Sequence, residues 1–239
     1  MDLASIETLA GSVGLALRGG FHPRADDGVP PLPSGPPAQT VVLLGNVGSS
    51  IWPQFSHSTE ALDGQPDPLN RWSTRVIGEM AEALGGVPHY PFGGPPYVPF
   101  LRWAQRAEPV FSSPLGMLIH PVYGVWHAYR GALAFAETIQ LPLAREADSP
   151  CESCRDRPCL SACPVSAFGQ GPYRADDCAA HIATPAGVDC LEQGCLARRA
   201  CPIGADFLYL ADQAGLHMKA FLTARQKDQQ ERRTGYVDS

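Results

Sequence analysis

At 239 residues the chain has room for one large domain or two small ones, and its 44% hydrophobic content is that of a soluble globular protein with a real core. A net charge of −6 with no long run of one sign supplies no basic face for nucleic acid. No apolar run is long enough to span a bilayer, which argues against a membrane partner. The opening segment MDLASIETLAGSVGLAL carries no Lys or Arg before Arg18, so it lacks the basic start of a signal peptide. The expected compartment is therefore the cytoplasm. Within that segment Leu3, Ile6, Leu9, Ala10, Val13 and Leu17 recur at helical spacing and predict one amphipathic helix. Residues 21–39 are too rich in proline and glycine for regular structure. TVVLLG (40–45) reads as a buried strand. DPLNRWSTRVIGEMAEALGG (67–86) predicts a helix, with Asp67 as cap, Pro68 in the first turn and Gly85-Gly86 as stop. Trp72, Val76, Met80 and Leu84 give that helix a core face. VPHYPF (87–92) predicts a strand, VPFLRWAQRAE (98–108) a helix, and GMLIH (116–120) and WHAYRGALAFAE (126–137) two strands around a turn. A long amphipathic helix is expected over 205–226, followed by a polar, fraying tail.

All eight cysteines lie between 151 and 201. In a reducing compartment such clustering means metal more often than disulfide. The asymmetry also sets boundaries: a domain over 1–145, a cysteine-rich domain over 146–210, and a C-terminal helix and tail over 211–239. LPLAREADSP (141–150) is the linker. The first group is Cys151-x2-Cys154-x4-Cys159-x3-Cys163-Pro164, and the second is Cys178-x11-Cys190-x4-Cys195-x5-Cys201-Pro202. Zinc sites of four cysteines pair their ligands closely. Here the first group has one C-x-x-C and the second has none, so iron–sulfur is favoured over zinc and over a disulfide framework. Arg155, Arg157, Arg198 and Arg199 lie between the cysteines, and solvated loop charge is favoured over a role in offsetting cluster charge.

The repeated quartet ending in Cys-Pro resembles the two-cluster bacterial-type ferredoxins, with two extra residues before Cys159 and wider gaps in the second group. The resemblance implies two [4Fe–4S] clusters. One takes Cys151, Cys154, Cys159 and Cys201; the other takes Cys163, Cys178, Cys190 and Cys195. Each Cys-Pro cysteine serves the cluster of the opposite group.

A second resemblance lies in GMLIHPVYGVWHAYRGALAFAETIQLP (116–142). Ile119, His120, Pro121, Gly124, Trp126, Ala128, Arg130 and Gly131 match the I-H-P-x-x-G-x-W-x-A-x-R-G stretch of the MMACHC (CblC) family of cobalamin-processing proteins. Weaker matches lie upstream in GPPAQTVVLL, DPLNRW and FLRWAQR. The resemblance implies an α+β architecture: a MMACHC/nitroreductase-like α/β domain, followed by a small ferredoxin-like domain holding the two clusters. This is the layout of epoxyqueuosine reductases and reductive dehalogenases in a smaller chain. It also implies cobalamin as a cofactor, held by residues including His120, Pro121, Gly124, Trp126 and Arg130, and electron delivery from clusters to corrinoid. Low-potential clusters suit that task, since their potentials reach about −700 mV.

Read from the residues alone, a buried Arg130 calls for an anionic partner, and a structural salt bridge serves as well as a ligand. His120 fits a hydrogen-bonded strand end better than a metal ligand. LLGNVG (43–48) lacks the G-x-G-x-x-G of a dinucleotide site. Trp72, Trp103 and Trp126 read as core. The alternatives to a corrinoid-linked oxidoreductase are a plain ferredoxin-type electron carrier and, less favoured, a flavin-linked reductase with FMN. Each works with a redox partner protein as donor or acceptor; catalytic residues stay unassigned.

Overall fold

The computed structural model describes residues 2–33, 35–143, 146–169 and 171–234. Residues 144 and 145 of the expected linker and 235–239 of the expected tail lie outside the described residues. The chain divides into two compact units. Unit 1 comprises Met1–Phe111 and Trp126–Asp148, and unit 2 comprises Ser112–Val125 and Ser149–Ser239. Both helix and sheet are present, in an α+β arrangement.

Unit 1 is built on four antiparallel strands. The chain runs through α1 (Leu3–Ser12), β1 (Ala16–Phe21), β2 (Thr40–Val47), the short α2 (Trp52–Phe55) and α3 (Thr59–Leu62), then α4 (Pro68–Leu84), β3 (Val87–His89) and α5 (Phe100–Ala107). β4 (Phe111–Ser112) and β5 (Leu118–Ile119) follow, and β6 (His127–Phe135) closes the main sheet in the order β1-β2-β6-β3. β2 is buried over seven of its eight residues, because it lies between β1 and β6 and both faces of the sheet are covered. Val41 and Leu43 pack with Phe21, Phe100, Trp103, Ala132 and Ala134, while α4 lies against β6 and β3. Each fully buried Val or Leu here contributes about 1.5–3 kcal/mol. The three tryptophans read as core are at most 2% exposed.

The first helix is shorter than its apolar spacing predicts. It ends at Ser12, and Ala16–Phe21 pairs with β2 as a strand. Gly14 turns the chain at φ 76, where a Cβ would meet the Ser50 carbonyl oxygen at 2.2 Å. α4 forms as expected and stops at Gly85 in the left-handed region. Asp67, however, takes φ 51 and its side chain caps nothing; Arg71 is drawn instead to Asp63 at 2.7 Å.

α3 and α4 are joined by an ion pair that gives a pH-dependent prediction. Arg75 donates to both carboxylate oxygens of Glu60, at 2.6 and 3.1 Å. These bonds hold the Glu60 carboxyl down from its ordinary value to about 2. A depressed carboxylate stabilises the fold above its unfolded pKa and loses that contribution as pH falls toward the folded value. Arg75 is nearly half exposed, so solvent screening reduces the effect to about 1–2 kcal/mol. Urea unfolding should therefore show wild type ahead of Glu60→Gln by this amount at pH 6, with the gap closing between pH 4.5 and 2. A gap independent of pH would refute the assignment.

In unit 2, α6 (Pro150–Ser153), α7 (Pro158–Ser161), α8 (Ala175–Ile182), α9 (Val188–Gln193) and α10 (Leu196–Arg199) are short, and α11 (Ala211–Thr234) is long. α11 packs on α8 and α9, bringing Met218, Phe221 and Leu222 against Cys178, Ile182 and Cys190. Where one helix was expected from 205, a 3-10 turn (Ala205–Phe207) and three residues outside any helix or strand precede α11. No helix among the described residues is long and apolar enough to cross a membrane.

Candidate functional site

The eight cysteines are free thiols, and they fall into two groups of position. Cys151 feels the charge of Cys201, Cys159 and Cys154; Cys159 feels Cys201 and Cys154; and Cys201 feels Cys154. Separately, Cys178 lies near Cys163 and Cys190, and Cys195 near Cys178 and Cys190. In each quartet three thiols come from one sequence group and the fourth comes from the other group's Cys-Pro.

The local sequence explains the presentation. Pro150, Pro158 and Pro185 each start a short helix or 3-10 turn, because their fixed φ suits a first helical position. Cys151 and Cys159 thereby sit in first turns. Cys195 stands at the N-cap of α10, and Gly194, at φ 91, turns the chain into it.

Cys163, Cys178, Cys190 and Cys195 line one cavity whose remaining wall is mostly apolar, including Val165, Phe168, Ile182 and Met218. Among the described residues no three His, Cys, Asp or Glu side chains are drawn together as round a single metal ion. These four thiols surround a space instead. Burial is the main cause that pushes the Cys151, Cys159, Cys178, Cys195 and Cys201 thiols above their ordinary range, and repulsion between neighbouring sulfurs adds to it. Four thiolates crowded in an apolar wall need a cation to offset them, and metal binding displaces their protons.

Donors are already aimed at the sulfurs. The Ala167 N–H reaches Cys163 Sγ at 3.2 Å. Backbone N–H groups of Ala197 and Arg198 lie near Cys195, that of Leu160 near Cys159 and that of Ile203 near Cys201, and each acts against the rise that burial causes in the thiol. Space framed by four thiols, apolar lining and N–H donors on sulfur together fit an iron–sulfur cluster.

The intervening arginines differ from one another. Arg155 and Arg157 are exposed. Arg198 is not a solvated loop charge: it donates to the Val125 carbonyl at 2.5 and 3.1 Å and lies 4.4 Å over the Tyr209 ring. Arg199 bonds the Gly194 carbonyl and Asp189.

The residues suggested by the second resemblance divide between the units. His120, Pro121 and Gly124 belong to unit 2. His120 and Gly124 exchange backbone bonds of 2.9 Å, and His120 Nδ1 accepts from the N–H groups of Val122 and Tyr123. The His120 ring stacks on Tyr123 at 4.2 Å, and Tyr123 meets Phe207 edge-on at 5.1 Å. The turn Gly124 closes is pressed against the segment just after Cys201-Pro202. A Cβ on Gly124 would meet the Ile203 carbonyl oxygen at 1.9 Å, and one on Gly204 would meet Tyr123 backbone at 2.3 Å. Leu115 and Met117 pack with Cys159, Ala197 and Cys195. Residues 112–125 thus brace the cysteine loops.

Trp126 and Arg130 belong to unit 1. Trp126 is buried, and its carbonyl accepts from Gly48 N at 2.7 Å. Arg130 is buried beneath α4, where it donates to Ser73 Oγ (2.9 Å), Asn70 Oδ1 (2.8 Å) and the Leu69 carbonyl (3.2 Å).

One constellation had no sequence signal. Arg18 in β1 is 1% exposed and pairs with Glu108, 90 residues away, at 2.5 Å. The Tyr129 hydroxyl donates to the same carboxylate, Arg18 also meets His127 Nδ1 at 3.1 Å, and its guanidinium lies over the Tyr129 ring. Burial, then the Glu108 charge, pushes the Tyr129 phenol far above its ordinary range, so it stays a donor at working pH.

No protein-family model matches the chain, and no curated protein matches it. Among solved structures the chain is similar to an epoxyqueuosine reductase from Streptococcus thermophilus, at 17% identity and a TM-score of 0.46, over 86% of this chain and 67% of that one.

Proposed function

We propose that this is an iron–sulfur electron-transfer protein, with one [4Fe–4S] cluster held by Cys151, Cys154, Cys159 and Cys201 and a second held by Cys163, Cys178, Cys190 and Cys195. The observation that carries the reading is the apolar cavity framed by four thiols that come from both sequence groups. When bound, such clusters supply one-electron chemistry at low potential. The chain supplies thiolate ligands, N–H donors that offset sulfur charge, and walls that keep water from the second cluster. By the resemblance at 119–131, unit 1 takes the electrons onward to a cobalamin in the cytoplasm, which makes the chain a corrinoid-linked oxidoreductase fed by a redox partner protein.

A plain electron carrier is the second reading. It is favoured by Trp126 and Arg130, which are occupied inside unit 1, and by the His120–Gly124 turn, which braces the cysteine loops.

Anaerobically reconstituted protein is expected to hold about eight irons and about eight acid-labile sulfides per chain, as two cubanes require. Cys190→Ser should remove about half of both. One iron per quartet without sulfide would refute the cluster reading in favour of single-ion sites. Hydroxocobalamin titration of the same sample separates the two roles. A saturable shift of the cobalt bands supports corrinoid handling, and an unchanged spectrum at high protein excess leaves the carrier.

A further inference from the structure

His120 holds a whole turn with one ring atom. Pro121 has no N–H, so the first free backbone donors after His120 are those of Val122 and Tyr123. Both donate to His120 Nδ1, at 3.0 and 3.2 Å. A backbone N–H can only donate, so Nδ1 carries no proton and the neutral imidazole keeps its proton on Nε2. The backbone bonds between His120 and Gly124, 2.9 Å in each direction, close the same turn. The buried ring stacks on Tyr123 at 4.2 Å. Against this turn lies the chain that leaves Cys201, and there is no room between them for a methyl group. A Cβ on Gly124 would meet the Ile203 carbonyl carbon at 2.6 Å, and one on Gly204 would meet the Gly124 nitrogen at 2.6 Å. Tyr123 adds its edge-on contact with Phe207. Cys201 stands two residues before Ile203, so the place of its sulfur follows the place of the turn.

Resting on the cluster reading above, we infer that His120 is the positioning residue of the first quartet: as an unprotonated acceptor it fixes the 120–124 turn, and through that turn it holds Cys201 where Cys151, Cys154 and Cys159 share a cluster. In this role the imidazole ligates nothing, because the Nδ1 lone pair is taken by Val122 and Tyr123. The acceptor and the ring can be separated by substitution. Asparagine places Oδ1 as many bonds from the backbone as Nδ1 and accepts from the N–H groups that follow it in a turn, but has no ring. Phenylalanine keeps a ring to stack on Tyr123 and accepts nothing.

The test is iron release from full-length, anaerobically reconstituted protein to an excess of ferrous chelator, with iron and sulfide assayed at the start. Cys190→Ser, which keeps only the first quartet intact, assigns the phases. The chelator takes iron from the opened site, so the rate follows the local opening equilibrium. His120→Phe should release the first quartet's iron about tenfold faster than wild type, the effect of losing about one hydrogen bond from the turn. The second quartet's rate should hold. His120→Asn should match wild type in both phases. Wild-type release from His120→Phe, equal acceleration of both phases, or His120→Asn as fast as His120→Phe overturns the role of the acceptor and leaves the cluster reading intact. Wild-type protein that takes up no sulfide overturns the cluster reading and this inference with it. If His120→Phe does not fold, His120→Asn decides: a wild-type first phase supports the inference, and a faster one overturns it.

Discussion

Gly124→Val is expected to empty the first quartet while sparing the second. Gly124 sits at φ 58, and a Cβ there would meet the Ile203 carbonyl oxygen at 1.9 Å. The clash is with backbone, so no rotamer relieves it. The segment that must yield follows Cys201-Pro202 directly, and the Ile203 N–H lies near Cys201. Bound iron should fall from about eight to about four per chain, with the second quartet's EPR signal intact. Gly116→Val is the control. Gly116 also has positive φ, at 73, but its Cβ would meet open space, so that substitution costs backbone strain alone, about 1–3 kcal/mol. Full iron in Gly124→Val would show that the turn at 120–124 does not support Cys201.

The largest stability effect should come from unit 1, with no metal involved. Glu108→Ala leaves the Arg18 guanidinium, 1% exposed, short of the carboxylate that it meets at 2.5 Å. It also removes the acceptor of the Tyr129 hydroxyl. Removing one partner of a buried pair costs about 3–5 kcal/mol, which for a chain of this size lowers Tm by roughly 6–20 °C. The double variant Arg18→Met/Glu108→Leu should recover much of the loss, because it leaves no buried charge without its partner. A drop of less than about 1 kcal/mol for Glu108→Ala would mean that the pair is solvated in practice. Differential scanning calorimetry of the single and double variants decides between these.

Where sequence and structure agree, the residues carry local signals. Residues 41–45 of β2 are a continuous apolar run, and α4 has a four-residue step ended by glycine; both can be read without knowing any partner. The clustering of all eight cysteines between 151 and 201 was also legible, whereas their division into two quartets came only from the resemblance to two-cluster ferredoxins. Misreadings arose where a partner decides. Val13 and Leu17 continue a helical period, yet Leu17 is claimed by Leu44 across the β1–β2 ladder. Asn70 and Ser73 on one face of α4 present neutral oxygens to Arg130 from about 60 residues upstream, and nothing local to Arg130 predicts them. Arg18 and Glu108 are 90 residues apart, and nothing local in either predicts the other. His120, Pro121 and Gly124 were legible as a constrained turn, but nothing in their spacing shows that the turn leans on residue 203.

That turn also bears on how far this chain can be divided. The cysteine unit looks in sequence like a cassette that begins at the linker, but it borrows 112–125 from the middle of the preceding half. A fragment starting at residue 146 would carry every thiol and still lack Leu115, Met117 and Gly124. During synthesis the borrowed segment emerges before any cysteine and has to wait for its counterpart. In evolution, such a unit moves between proteins only if its neighbour comes along. A cut that respects the cysteine unit therefore has to keep 112–125 with it.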